Sequence, residues 1–169
     1  MFNYLKMMRK ILLLLMLGLL FWACNPNTKN TAIEEKSHIT VYDSTLVNEY
    51  GADQYGMKTY VIAFLKRGPN RSKDSVEAAR LQKVHLENIN QLAEEGKLVL
   101  AGPFFGDGDL RGIYVFDVNS IEEAEKLTES DPLIQSGGLI MELHKWYGSA
   151  AVMAIPEIHK KLEKVNVAE

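Results

Sequence analysis

The sequence predicts an α+β fold of the ferredoxin-like type, with the element order βαββαβ. Three observations predict it: strand-like and helix-like segments are interspersed, two strands follow each other directly, and a glycine-rich stretch joins those two. This order is that of a split βαβ arrangement, in which one antiparallel sheet carries both helices on a single face.

The first half of this domain is predicted to contain a strand, a long helix and a second strand. The run 59–65 is rich in β-branched and aromatic residues, and a turn follows it. Ser75 is the expected N-cap of the helix, whose apolar residues recur every three or four positions, and Gly96 ends it as the C′ residue. The second strand covers 97–101.

The second half contains two further strands around a second helix. A glycine-rich connection over 102–109 leads to the strand 112–118. Ser120 is the expected start of the helix, and Pro132 stops the chain from continuing it. The last strand covers 139–147, and a short helix is expected in the tail that follows.

The strands are apolar on both faces, which one layer of helices does not explain. In the first strand Tyr60 and Ile62 lie on one side, while Val61 and Ala63 lie on the other. Because the helices cover only one face, we expect a second sheet on the other, supplied by an identical subunit in a two-fold dimer. The alternative cover is internal: the N-terminal extension or the tail folds back over this face.

The N-terminus predicts an export signal over residues 1–23. Lys6, Arg9 and Lys10 precede an unbroken apolar run from Ile11 to Ala23. As a helix this run rises only about 20 Å, which is less than the roughly 30 Å hydrocarbon core of a membrane. A stable transmembrane anchor is therefore disfavoured.

The single cysteine, Cys24, follows the apolar run directly. This is where the lipobox of a bacterial lipoprotein places the cysteine that becomes lipidated, and acyl chains hold a protein at a membrane surface. We therefore expect a bacterial cell-envelope protein, anchored by lipid and facing the periplasm or the exterior. The predicted organisation is the signal 1–23, then Cys24, a polar tether and an extension over 24–57, the domain 58–148 and a helical tail 149–169.

Composition and charge exclude several kinds of partner. The 169 residues include 19 basic and 22 acidic ones, and without the three basic residues of the signal the charge falls from −3 to −6. Nucleic acid is therefore not an expected partner. One cysteine excludes an intrachain disulfide framework. His38, His144 and His159 lack the spacing of metal ligands, so neither a metal nor a cofactor is predicted.

His85 and Asp131 are the candidate chemical residues. His85 lies in the apolar stripe of the first helix, one turn from Leu81 and from Ile89, so its imidazole should face the sheet. Asp131, at the end of the second helix, lies on the same side and could reach it. Such a pair fixes the tautomer of the imidazole and raises its basicity, as general acid/base catalysis requires. The alternatives are a structural buried histidine and an aspartate that serves only the turn before Pro132.

At these positions the chain resembles the YCII-related (YciI-like) family over roughly 58–147. The landmarks are, in chain order, Val84-His85-Leu86, Gly102-Pro103, Ser130-Asp131-Pro132 and Gly137-Gly138. The resemblance implies a dimeric α+β barrel of ferredoxin-like subunits with a His–Asp active site, matched by His85 and Asp131. It also implies acid/base-assisted elimination, since one relative is a dehydrochlorinase. Where many members carry an arginine, this chain has Gln82.

The predicted function is acid/base chemistry on a small organic molecule. His85 is the predicted acid/base group and Asp131 orients it, in a pocket that Gly102, Pro103 and Phe104 help to line. The alternative is a non-catalytic ligand-binding or interaction module at the cell envelope, in which the same residues shape a cleft or complete the core.

Overall fold

The computed structural model of the chain describes residues 41–167. The predicted export signal, Cys24 and the tether lie outside the described residues. No helix in the described part is long and apolar enough to cross a membrane. The helices and strands, in chain order, are α1 (Ser44–Tyr50), β1 (Met57–Arg67), α2 (Ser75–Glu94), β2 (Leu98–Pro103), β3 (Leu110–Phe116), α3 (Ile121–Thr128), α4 (Pro132–Gln135), β4 (Leu139–Ser149), a 3₁₀ segment (Ala150–Ala154) and α5 (Ile155–Leu162).

The four strands form one antiparallel sheet in the order β2-β3-β1-β4. β1 is central and pairs along its length with β4, from Met57 opposite Ser149 to Arg67 opposite Leu139. This order confirms the predicted ferredoxin-like α+β fold.

The main core lies between the sheet and the helices. Val61, Ala63 and Leu65 of β1 are buried there, and Leu92 of α2 and Ala124 of α3 pack against this side of the sheet. Complete burial of a side chain such as Leu92 stabilises the fold by about 1.5–3 kcal/mol.

The opposite face of the sheet is partly covered by the tail. Tyr60, Val99 and Val115 form a second buried cluster, against which Val152 and Met153 of the 3₁₀ segment pack. The internal cover named as an alternative above is therefore present over one part of this face. Elsewhere on the face, side chains such as Phe64 remain half-buried.

Several element boundaries differ from the predicted ones. The N-cap of α2 is Asp74 and not Ser75, because the Asp74 carboxylate accepts the N–H groups of Val76 and Glu77. Gly96 is in the left-handed conformation at φ +70°, as a C′ residue requires. β2 continues to Pro103, into the predicted loop, because an edge strand tolerates a residue without an N–H.

Two short helices were not predicted. α1 buries none of its residues, so it leaves no apolar periodicity in the sequence, although Asp43 caps its N-terminus. α4 begins directly after Asp131, which is its N-cap. The Asp-Pro pair thus separates α3 from a new helical turn.

A close backbone contact fixes the end of β1 against the start of β4. The N–H of Gly68 donates to the carbonyl of Gly138 at 3.0 Å, and the N–H of Asn70 donates to that of Gly137 at 3.0 Å. A Cβ atom at position 68 would lie 2.1 Å from the Gly137 oxygen, so this contact requires glycine. It holds the segment between α4 and β4 beside the turn after β1.

Candidate active site

His85 lies on the buried face of α2, together with Leu81 and Leu92. The residue is 6% exposed, and its ring faces the sheet as its place in the apolar stripe predicts. A titratable ring in this position needs polar partners from other elements, since burial without a hydrogen bond is costly.

Asp131 supplies the first partner. His85 Nδ1 and Asp131 Oδ2 are 2.5 Å apart, and Asp131 is 1% exposed. The other carboxylate oxygen, Oδ1, accepts the N–H of Leu133 at 2.8 Å as the N-cap of α4. One carboxylate therefore begins a helix and orients the imidazole.

Tyr114 supplies the second partner, and sequence reasoning did not assign it to the site. Its hydroxyl lies 3.3 Å from His85 Nε2, and the residue is 3% exposed on the helix side of β3. Burial, and to a lesser extent the charge of Asp131, raises the pKa of Tyr114 well above its usual value near 10. The phenol therefore keeps its proton and can act as a donor.

These contacts fix the tautomer of neutral His85. An ionised carboxylate only accepts hydrogen bonds, so Nδ1 carries the proton facing Asp131. The lone pair of Nε2 then faces Tyr114 and accepts its O–H. Nε2 is the atom at which the ring can take up a proton, and Asp131 would stabilise the imidazolium that results.

A pocket of about 470 Å³ opens beside His85 and Tyr114. Its walls include apolar side chains of both the sheet and the helices, among them Leu65, Ile89 and Leu133. Gly102 and Pro103 line it, whereas Phe104 is not among the lining residues and is 42% exposed. A volume of this size is ordinary for a small-molecule site.

Two arginines, which sequence reasoning missed, also line the pocket. Arg71 follows the turn after β1, and Arg111 lies near the start of β3. Gln82 lines the same pocket from α2. The sequence did carry a signal for Tyr114. Alternation along the strand puts its side chain on one face of the sheet, and a phenol that is buried there needs a hydrogen-bond partner. No comparable pattern marks the arginines, which come from the loop after β1 and from the start of β3.

The other two histidines in the described part of the chain do not line this pocket. His144 pairs with Glu142 at 2.8 Å and His159 with Glu163 at 3.7 Å, while His38 lies outside the described residues. Within residues 41–167, no three His, Cys, Asp or Glu side chains are grouped so as to hold a metal ion.

Comparison with known proteins identifies a family and several similar proteins. The sequence pattern of the YCII-related domain matches residues 60–146, which include His85 and Asp131. Uncharacterized protein YjpA of Bacillus subtilis (strain 168) is 34% identical over 62 residues, covering 37% of this chain and 71% of that protein. A similar solved structure is that of 5-chloro-2-hydroxyhydroquinone dehydrochlorinase (TftG) from Burkholderia phenoliruptrix AC1100, in complex with 2,5-dihydroxybenzoquinone. Its sequence is 21% identical to this chain, and the two structures match with a TM-score of 0.40. The match covers 53% of this chain and 93% of that one.

Proposed function

The chain belongs to the YCII-related family, and from this premise we propose that it transforms a small organic molecule through the acid/base pair His85 and Asp131. The observation that carries the proposal is the 2.5 Å contact between Asp131 Oδ2 and His85 Nδ1 at the wall of a 470 Å³ pocket. It leaves Nε2 as the basic atom of the ring on the side of Tyr114.

The reaction class that we propose is an elimination. Nε2 takes a proton from carbon, the electrons of that C–H bond form a double bond, and the leaving group departs with its own bonding pair. For this step the Tyr114 hydroxyl, which donates to Nε2 in this structure, turns to the substrate and frees the Nε2 lone pair. There it donates to the negative charge that develops on the substrate, while Asp131 stabilises the imidazolium. Elimination fits this site because it needs one base and no second reagent.

The test detects proton transfer without a known substrate. The full-length chain is incubated in D₂O with mixtures of small organic molecules, and mass spectrometry detects deuterium incorporation or loss of a leaving group. We expect conversion by the wild type and at least a hundredfold loss in His85→Gln, within the range typical of general acid/base catalysis. His159→Gln is the matched control, because His159 is exposed and outside the pocket lining.

A second candidate function is non-catalytic ligand binding. It is favoured by the hydrogen bonds of the pair: both nitrogens of His85 and both carboxylate oxygens of Asp131 already have hydrogen-bond partners within the protein. Diethyl pyrocarbonate distinguishes the two candidates. A working base should react and be protected by ligand, whereas a structural His85 should stay unmodified while exposed His159 reacts. If His85→Ala lowers stability but leaves ligand occupancy per folded molecule unchanged, the binding module is the better description.

We also propose that the protein is a lipoprotein of the bacterial cell envelope. The support is the position of Cys24 directly after the apolar run of the sequence. Metabolic labelling with a fatty acid should mark the wild type and not Cys24→Ser. Equal labelling of both would contradict the proposal.

A homodimer is the third proposal, with the open sheet face as its interface. Ile62, Phe64 and Ile113 are half-buried apolar residues on this face, and the rings of Phe64 and His144 meet edge to face at 5.9 Å. Burying such a surface against a second copy would remove apolar area from water. Light scattering of the full-length chain at micromolar concentration should give twice the subunit mass, and a monodisperse monomer would rule the dimer out.

A further inference from the structure

We infer that the substrate of this pocket is a small organic carboxylate, held at its charged end by Arg71 and Arg111. This inference rests on the proposed function of the same pocket and names the chemical class that it accepts. It concerns binding, which can be measured without turnover.

The first argument is the charge of the pocket wall. Arg71 and Arg111 line it, and no Asp or Glu does among the residues that the structure describes. Asp131 lies behind His85, and both of its oxygens are already hydrogen-bonded. The wall is therefore positive in a protein whose formal charge is −3, and an anion is the ligand that compensates it.

The second argument is the orientation of Arg111. Its Nη1 donates to the carbonyl of Gly106 at 2.8 Å and to that of Gly108 at 3.4 Å. Both bonds use Nη1, so they hold the guanidinium against the loop between β2 and β3 without occupying its other two nitrogens. In the described part of the chain, its Nε and Nη2 have no protein partner, so one edge of a planar fork remains for a ligand.

The third argument is the apolar remainder of the pocket. Leu65, Ile89 and Leu133 line it without offering side-chain donors. A guanidinium fork matches the two oxygens of a carboxylate, and the apolar wall fits a hydrocarbon or aromatic body. A carboxylate held here would occupy the same pocket as His85.

The test measures the affinity of three carboxylates against their neutral amides by calorimetry. The probes are benzoate, phenylacetate and hexanoate, their three amides, and inorganic phosphate, each titrated into the full-length chain. We expect the wild type to prefer each carboxylate to its amide. R71Q and R111Q should each weaken carboxylate binding by about ten- to hundredfold, the usual effect of losing a charge-assisted hydrogen bond, and leave amide binding unchanged.

R67Q is the matched control. Arg67 Nη2 donates to the carbonyl of Asp107 in the same loop, but Arg67 does not line the pocket, so its loss should leave the carboxylate preference intact. R71Q removes a positive charge and leaves the bonds from Arg111 to the Gly106 and Gly108 carbonyls in place. Weaker carboxylate binding in R71Q would therefore come from the lost charge and not from a change in the loop. Carboxylates that bind no better than amides would overturn the inference, as would phosphate binding in place of carboxylates or a preference that survives in both R71Q and R111Q.

The outcome separates this inference from the proposed function. If His85→Gln still binds carboxylates in an arginine-dependent way and the wild type shows no proton transfer, the inference holds and the catalytic proposal fails. If the wild type turns over neutral molecules with no dependence on Arg71 and Arg111, the catalytic proposal holds and the inference fails.

Discussion

Asp131 is the residue on which local structure and the candidate chemistry both depend. Oδ1 caps α4 through the Leu133 N–H, and Oδ2 orients His85. A side chain that serves only one of these roles could be replaced without disturbing the other. Here loss of the whole side-chain carboxylate affects the helix start and the imidazole together.

The first prediction separates these two roles by comparing Asp131→Ala with Asp131→Asn. Alanine removes the cap and leaves the buried His85 Nδ1 unsatisfied, so we expect a loss of about 2–4 kcal/mol in the free energy of unfolding. Asparagine caps helices about as well as aspartate, so it should cost less. Urea unfolding measures both. Equal losses would mean that Oδ1 does not cap α4 in solution.

The second prediction concerns alkaline stability and Tyr114. Its pKa is higher in the folded state than its usual value of 10, so its stabilising contribution is complete below pH 10 and is lost as the pH rises above that value. Tyr114→Phe should therefore lose stability less steeply above pH 10 than the wild type. Thermal unfolding between pH 8 and about 11 measures this. The exposed Tyr55, replaced by Phe, is the control and should keep the wild-type slope.

The candidate site was only partly predictable from sequence at this scale. His85 falls on an apolar stripe, and a helix period is enough to turn it toward the sheet. Asp131 lies next to His85 because α4 packs against α2. The positions of the two residues in the sequence are compatible with this packing but do not require it. Arg71 reaches the pocket from a loop, where side-chain directions follow no period. Arg111 lies near the start of β3 and binds carbonyls of the adjoining loop, whose conformation the sequence pattern does not give.

At the scale of elements, the alternation of side chains predicted the strands well. The capping residues did not predict the short helices. Strand β1 has two apolar faces and pairs along its whole length, so its pattern is strong. Helix α1 has no buried residue, and its only marks are the Asp43 cap and Gly51 at φ +66°. Signals of this kind are frequent in loops, so by themselves they do not identify a helix.

The third prediction tests the contact between the turn after β1 and the start of β4. Gly68→Ala places a Cβ against the backbone of Gly137, and relief of that clash requires the two segments to separate. We expect a loss of about 1–3 kcal/mol in the free energy of unfolding, as for other overpacked sites. Urea unfolding is the measurement.

Gly108→Ala is the control for this prediction. A Cβ at Gly108 has nothing within 4 Å, and its backbone is not in the left-handed region. It should therefore leave the unfolding midpoint close to that of the wild type. A similar loss in both variants would show that the close contact of Gly68 is not the cause.

At the scale of the whole molecule, the sheet separates two packed layers. The layer with the helices holds the pocket, and the other holds the 3₁₀ segment against Tyr60, Val99 and Val115. Because neighbouring residues of one strand belong to opposite layers, as Tyr114 and Val115 do, neither layer should unfold without the other.

The fourth prediction tests this cooperativity. Val152→Ala combined with Met153→Ala removes apolar contacts from the tail side, and we expect a loss of about 2–4 kcal/mol in a single unfolding transition. Circular dichroism and intrinsic fluorescence should give the same midpoint. Ile158→Ala, at a position 52% exposed, should change little. Two separate transitions in the double variant would mean that the tail docks on a sheet that folds without it.

The double use of Asp131 gives the pocket a built-in spectroscopic reporter. The amide proton of Leu133 points at the carboxylate that also holds His85, so its chemical shift and its exchange with solvent depend on the state of the buried pair. One backbone resonance, far from the imidazole along the chain, can therefore follow protonation or ligand binding at the site with no label on a ligand.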